Sequence, residues 1–182
     1  MKFRKQLKDS GYKKVSLDRN MVHMDKGCSL DLGAAGKGIG CDSILEYLKT
    51  QKEVSAALMN LGGSSVMTYG SKPDGSSWNV AVTDPRAEND DDYLGVVALN
   101  GTEFLSTSGD YEKYFIEDGV RYHHIMDPST GYPAKSGVTG VTVVCDTGLE
   151  ADALSTGMIL VLGGGKKGAQ LLKAYGADGL FV

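Results

Sequence analysis

The chain has 182 residues, 41% hydrophobic and 23% charged, enough for one soluble domain with its own core. Nineteen basic against 23 acidic side chains leave a net charge of −4, which excludes the basic footprint of a nucleic-acid binder. The longest apolar run, Met158 to Leu162, is five residues, far short of the roughly 18–20 that a membrane-spanning helix needs. Glycine is the outlier at 25 of 182, about twice ordinary usage. With only four prolines and clear apolar segments between the glycines, this reads as turn-rich globular sequence.

In chain order, Phe3 to Ser10 predicts a short helix stopped by Gly11. Val15 to Leu17 and Met21 to Met24 predict strands around an Asp18-Arg19-Asn20 turn. The glycine-rich stretch DLGAAGKGIG (31–40) leads into a helix with Ile44, Leu45 and Leu48 on one face. Strands follow at Ala56 to Leu61, ending at Gly62-Gly63, and at Val66 to Tyr69. Lys72-Pro73-Asp74-Gly75 is a turn. Trp78 to Val82, Leu94 to Leu99 and Glu103 to Ser106 continue as strands. Tyr114 to Ile116 and Val120 to His124 bracket Asp118-Gly119, a hairpin signal. Val138 to Cys145 is β-branched, and Leu149 to Leu162 is an apolar helix ended by Gly163-Gly164-Gly165. A helix over Lys166 to Tyr175 and a strand over Leu180 to Val182 close the chain. Consecutive hairpins with helices between groups of strands predict an α+β fold, a mostly antiparallel sheet with helices packed against it. No repeat or linker divides residues 1–182, so they are expected to form a single domain.

The three cysteines, Cys28, Cys41 and Cys145, make no CxxC or zinc spacing and read as small buried apolar residues. The N-terminus is basic without an apolar h-region, so no signal peptide is expected in these residues.

Four segments carry chemistry. In DLGAAGKGIG the glycines allow close backbone approach and Lys37 adds charge beside a helix N-terminus, which suits phosphate; a tight strand-to-helix turn would use the same residues. Neither a dinucleotide GxGxxG nor a Walker A pattern fits. In EADALST (150–156), Asp152 and Thr156 stand i and i+4, one face of a helix. Their hard oxygens suit Mg²⁺, or else serve the helix dipole and a backbone hydrogen bond. RYHHIMDPSTGYP (121–133) sets His123 and His124 at a strand end, facing opposite ways, so at most one enters a given site as general base. Asp127 is expected to bond its own turn. In STSGDYEKYF (106–115), Ser106, Thr107, Ser108 and the Gly109 amide could line an anion or a flavin edge, or cap the following segment.

In this order the segments resemble the FAD:protein FMN transferases, the ApbE family once called thiamine-biosynthesis lipoproteins. DLGAAGKGIGCD is similar to the family's DLGGIAKGYAVD, and residues 59–85 to its strand–LGG–strand and PDG region. STSGDYEKYF, RYHHIMDPSTGYPA and LEADALSTGMILVLG resemble TSGDYxRYF, HIIDPxTGxP and ADALATALFVLG. The resemblance covers residues 13–182, and implies the C-terminal portion of a longer family pattern. It departs from that pattern at Ser64, where Asp or Asn is common, at Lys113, often Arg, and at Ala34-Ala35-Gly36.

The resemblance implies cleavage of FAD at its pyrophosphate, with FMN joined by a phosphodiester to a threonine of a target flavoprotein and AMP leaving. It implies His124 as the base and Mg²⁺ held by Asp152, Thr156 and the Gly36 carbonyl. Gly36, Lys37, Ser106, Thr107, Ser108 and Gly109 are then the residues expected against FAD. FAD pyrophosphatase activity, and a non-catalytic flavin-binding fragment, are the alternative readings. The location implied is extracytoplasmic, as a membrane-associated lipoprotein.

Overall fold

A computed structural model describes residues 7, 9–87, 89, 92–161 and 165–182. The centre is a five-stranded, wholly antiparallel sheet in the order β13-β12-β7-β4-β3. Its strands are β3 (Ala57–Leu61), β4 (Ser65–Tyr69), β7 (Phe104–Gly109), β12 (Gly140–Cys145) and β13 (Asp178–Phe181). Helices α1 (Gly36–Thr50) and α2 (Gly148–Val161) cover one face, and α3 (Gly165–Ala174) packs against β13. The hairpin β5 (Trp78–Thr83) and β6 (Tyr93–Leu99) covers the other face. The α+β expectation is therefore met.

Strand alternation sorts the core into two clusters. Met67 of β4, Phe104 of β7 and Val141, Val143 and Cys145 of β12 point to the helices, meeting Ala151, Leu154, Met158 and Ile159 of α2. Val66, Leu105 and Val144 point the other way, under Trp78, Val80, Val97 and Leu99. Being sandwiched on both sides, β4 is buried at Ser65, Val66, Met67 and Thr68 alike.

Three two-stranded hairpins extend from this body: β1 (Val15–Asp18) with β2 (Met21–Met24), β8 (Tyr114–Glu117) with β9 (Val120–His123), and β10 (Met126–Asp127) with β11 (Tyr132–Pro133). The Asp118-Gly119 turn forms as expected, with φ of 48° and 73°. The β10–β11 ladder was not legible, because two-residue strands are too short to show a period. A single 3₁₀ turn, Tyr12–Lys14, precedes β1.

Several boundaries differ from expectation. α1 begins inside the glycine-rich stretch, at Gly36, and β7 runs on to Gly109 through the Ser-Thr-Ser-Gly motif. β12 starts at Gly140 and β13 at Asp178. Most of the expected Phe3 to Ser10 helix, and Leu162, Gly163 and Gly164, lie outside the described residues; Gly165 opens α3.

Candidate functional site

The site begins with two glycines. A Cβ on Gly38, in the first turn of α1, would land on the carbonyl oxygen of Gly148, the first residue of α2. One on Gly148 would likewise meet the Gly38 carbonyl, so only glycine at both positions lets the two helix starts touch. Each helix carries an aspartate four residues further on, and each aspartate caps the other helix. Asp42 of α1 accepts the backbone N–H groups of Gly148 at 2.7 Å and Leu149 at 2.9 Å. Asp152 of α2 accepts the N–H of Gly38 at 2.7 Å. The exchange satisfies helix-start donors that would otherwise be orphaned, and sets each carboxylate at a positive dipole end.

Asp152 is only 7% exposed. Besides Gly38, its Oδ1 accepts from the Ser106 hydroxyl at 2.6 Å and the Ser65 hydroxyl at 2.9 Å. Ser65 and Ser106 are register partners on adjacent strands β4 and β7, which is why they arrive together. Two residues along β7, Ser108 lies 2.9 Å from the hydroxyls of both Ser155 and Thr156. The result is a row of hydroxyls, buried at Ser65, Ser106 and Ser155 and half-buried at Ser108 and Thr156, with one buried carboxylate among them. Among the described residues no cationic side chain pairs with Asp152: the ion pairs are Lys14–Asp25, Lys49–Glu46, Arg86–Asp110 and Arg121–Asp110.

At the rim, Lys37 of the α1 first turn donates to the Ser64 hydroxyl at 2.6 Å. Ser64 closes the β3–β4 turn, where Gly62 and Gly63 take φ of 64° and 78°. Such left-handed values favour glycine, and the turn runs close past Lys37 Nζ, 3.5 Å from where a Gly62 Cβ would stand.

The histidines divide as their alternation requires. His123 is buried; its Nε2 lies 3.0 Å from the Ala134 carbonyl, and its Nδ1 accepts the Ile125 N–H at 3.3 Å. A carbonyl only accepts, so Nε2 bears the hydrogen, and both nitrogens are used inside the protein. His124 is exposed. Its backbone N–H and its Nδ1 both reach the Lys113 carbonyl, at 3.0 and 3.2 Å. By the same rule Nδ1 carries the hydrogen, and Nε2 is left without a partner among the described residues. Asp127 bonds its own turn as expected, accepting from the N–H and hydroxyl of Ser129; those bonds hold its carboxyl below the usual range.

The structure brings together Asp152, Thr156, Ser106 and Ser108, with Gly36 and Lys37 in the adjoining first turn of α1. It does not bring in Thr107, which lies on the opposite sheet face and meets Thr142 hydroxyl to hydroxyl at 2.8 Å. Gly109 ends β7, where a Cβ would collide with the Tyr111 ring. No hydrogen bond among the described residues joins His124 to the Asp152 cluster. Sequence reasoning missed Ser65, Asp42, Gly38 and Gly148. Their signal was present as a Gly-x-x-x-Asp spacing at the start of both helices, Gly38 to Asp42 and Gly148 to Asp152.

Cys41 and Cys145 are buried as expected, but Cys28 is only half-buried and its Sγ donates to the Asp9 carbonyl at 3.1 Å. Burial, then the charges of Asp152 and Asp42, push Cys41 up from 9.0 to about 11. Burial also raises Cys145.

Known proteins resemble this chain in sequence and in fold. The family model described as the ApbE family matches residues 1–181. A FAD:protein FMN transferase of Treponema pallidum is 39% identical over 163 residues, covering 86% of this chain and 44% of that protein. One from Klebsiella pneumoniae is 38% identical over 156 residues, covering 86% and 46%. The crystal structure of an ApbE protein from Thermotoga maritima superposes with a TM-score of 0.89 at 38% identity, covering all of this chain and 58% of that one. The apo flavinyl transferase ApbE of Pseudomonas stutzeri gives 0.78 at 32% identity, covering 98% and 53%. The chain belongs to the ApbE family. It spans less than half the length of those two transferase relatives.

Proposed function

We propose that the protein to which this chain belongs transfers FMN from FAD to a threonine hydroxyl of a target flavoprotein, releasing AMP. The observation that carries the reading is the buried Asp152 carboxylate, held among the described residues by neutral donors alone, one of them the Gly38 N–H of the α1 first turn, with Thr156 one helical turn further along α2. A buried charge without a counter-ion is costly, so a cation belongs there.

The donor set fits Mg²⁺. Among the described residues no group of three or more His, Cys, Asp or Glu side chains forms a metal cage. One carboxylate, a hydroxyl and a backbone carbonyl are instead what Mg²⁺ uses when substrate phosphates complete its shell. Asp152, Thr156 and the Gly36 carbonyl would hold it. When bound, the ion would neutralise charge on the FAD pyrophosphate.

The chain's own residues then have distinct tasks. Lys37 favours the phosphates, its ammonium being partnered among the described residues by the neutral Ser64 hydroxyl. Ser108 orients the Thr156 hydroxyl. His124 is the general base: its free Nε2 takes the proton of the acceptor hydroxyl as that oxygen bonds to the FMN phosphorus. The pyrophosphate P–O bond breaks, and AMP departs with the bond's electron pair. Lys113, through its carbonyl, keeps the His124 hydrogen on Nδ1 so that Nε2 remains the acceptor.

The test is intact-mass spectrometry of a peptide bearing Asp-Gly-Ala-Thr, incubated with this chain, FAD and Mg²⁺. A mass gain equal to FMN that EDTA abolishes is expected. Free FMN without peptide labelling would convert the reading to FAD pyrophosphatase, and a full-length protein that neither binds FAD nor labels the peptide would overturn it. The family resemblance also supports an extracytoplasmic, lipid-anchored location; protease accessibility of the full-length protein on intact cells tests that. No helix among the described residues is long and apolar enough to cross a membrane.

A further inference from the structure

We propose that Ser65 and Ser106 make the Asp152 site selective for Mg²⁺ over Ca²⁺, by saturating Oδ1 so that the carboxylate can bind a cation through Oδ2 alone. The inference rests on the metal reading above and deepens it.

An ionised carboxylate offers about four acceptor positions, two on each oxygen. On Asp152, Oδ1 takes both serine hydroxyls, at 2.6 Å from Ser106 and 2.9 Å from Ser65. Oδ2 takes one N–H, from Gly38. The position left open is therefore on Oδ2, the oxygen turned to the first turn of α1, where Gly36 and Lys37 lie. Neither serine can turn away to water, because Ser65 and Ser106 are 2% and 1% exposed. Their placement is also fixed by the backbone, since they are paired across β4 and β7, with the hydroxyls 3.5 Å apart. The carboxylate plane is thus locked from three sides before any ion arrives.

That lock discriminates between two chemically similar cations. Mg²⁺ is small, wants octahedral geometry and is content with one oxygen from a carboxylate. Ca²⁺ takes more oxygens in looser geometry and gains from bidentate carboxylates. A carboxylate whose second oxygen is fully engaged withholds that gain. Ser106 is thereby a positioning residue for Asp152, not a flavin contact, and Ser65 is its partner.

The experiment follows Mn²⁺ binding by electron paramagnetic resonance in the presence of FAD, with Mg²⁺ or Ca²⁺ as competitor. It compares the parent chain with Ser65→Ala, Ser106→Ala, the double variant and Ser106→Thr. Outer-shell partners set metal affinity by about 10- to 100-fold. Mg²⁺ affinity is accordingly expected to fall at least about tenfold in the double variant and Ca²⁺ affinity to fall less, shifting the ratio toward Ca²⁺. Ser106→Thr, which keeps the hydroxyl, should restore the parent ratio. If both affinities drop by the same factor, the serines merely support the structure and the proposal is overturned. Each single alanine variant, checked by thermal melting, reports the same ratio should the double variant not fold. A parent chain that binds no Mn²⁺, or binds it as well after Asp152→Asn, overturns the underlying metal reading instead, an outcome distinct from an unchanged ratio.

Discussion

The Asp152 cluster and the His124 hairpin are built on opposite plans. Asp152 is buried where two helix starts and two sheet strands meet, and every polar neighbour is committed: Gly38, Ser65 and Ser106 to the carboxylate, Ser108 to Thr156. His124 stands exposed just past β9, held by one carbonyl, on a two-stranded hairpin whose Tyr114, Phe115, Ile116 and Val120 face solvent. Phe115 and Tyr122 stack on that hairpin at 5.1 Å between ring centres, which is local stabilisation only. The contrast bears on two demands of the group transfer proposed above. On that reading, charge placement is preorganised in the core, and His124, the proposed proton acceptor, sits exposed where an incoming protein segment can reach it.

The comparison can be broken most severely at Asp152. Asp152→Ala would orphan a buried N–H and two buried hydroxyls at once, each costing about 1–3 kcal/mol. The expected loss is about 3–5 kcal/mol, read from chemical denaturation, together with loss of divalent-cation binding. Asp152→Asn keeps the shape and some of the bonds and should separate the two effects. Gly38→Ala comes next. Its methyl would press on the Gly148 backbone, which has no side chain to swing aside, and overpacking of that kind costs about 1–3 kcal/mol. A Gly38→Ala protein as stable as the parent would show that the helix starts are not in obligatory contact.

His124→Ala should behave in the opposite way. Its side chain makes one exposed hydrogen bond, so stability should change by no more than about 0.5 kcal/mol. FMN transfer should nonetheless fall by about 10²- to 10⁴-fold, as removal of a general base does. His123→Ala inverts this pattern. It deletes a buried ring that ties Ile125 to Ala134 and should destabilise the loop. Measuring melting and transfer for both variants tells which histidine is structural.

Much of this was legible in the sequence because local chemistry dictates it. The Asp118-Gly119 hairpin and the Asp152/Thr156 helix face follow from turn preference and from a period of 3.6. The α+β class follows from hairpins strung between helices. What stayed hidden were the tertiary exchanges. The glycines of residues 31–40 suggested a ligand loop or a tight turn, yet from Gly36 onward they are helical. Gly38 is required by a neighbour 110 positions away in sequence, Gly148. Thr107 was grouped with Ser106 and Ser108 by adjacency. Only the strand over Phe104–Gly109, longer than its apolar residues indicate, puts it on the other face. Ser65 could be found only once β4 and β7 were known to be neighbours.

The smallest expected effect concerns the thiol beside this cluster. Cys41 is 1% exposed, and burial first, then the negative charges of Asp152 and Asp42, raise it from 9.0 to about 11. Below pH 9 the thiol is protonated in both folded and unfolded chains, and its contribution to stability is fully present. Between about pH 9 and 11 the unfolded chain releases the proton and the folded chain keeps it, so stability falls as pH rises through that window. Denaturant midpoints measured from pH 8 to 11 should decline, and Cys41→Ala should flatten part of that decline while lowering the whole curve slightly through lost packing. A slope unchanged by the substitution would mean that Cys41 ionises in the folded chain as readily as in water. Neither burial nor the charges of Asp152 and Asp42 would then act on the thiol.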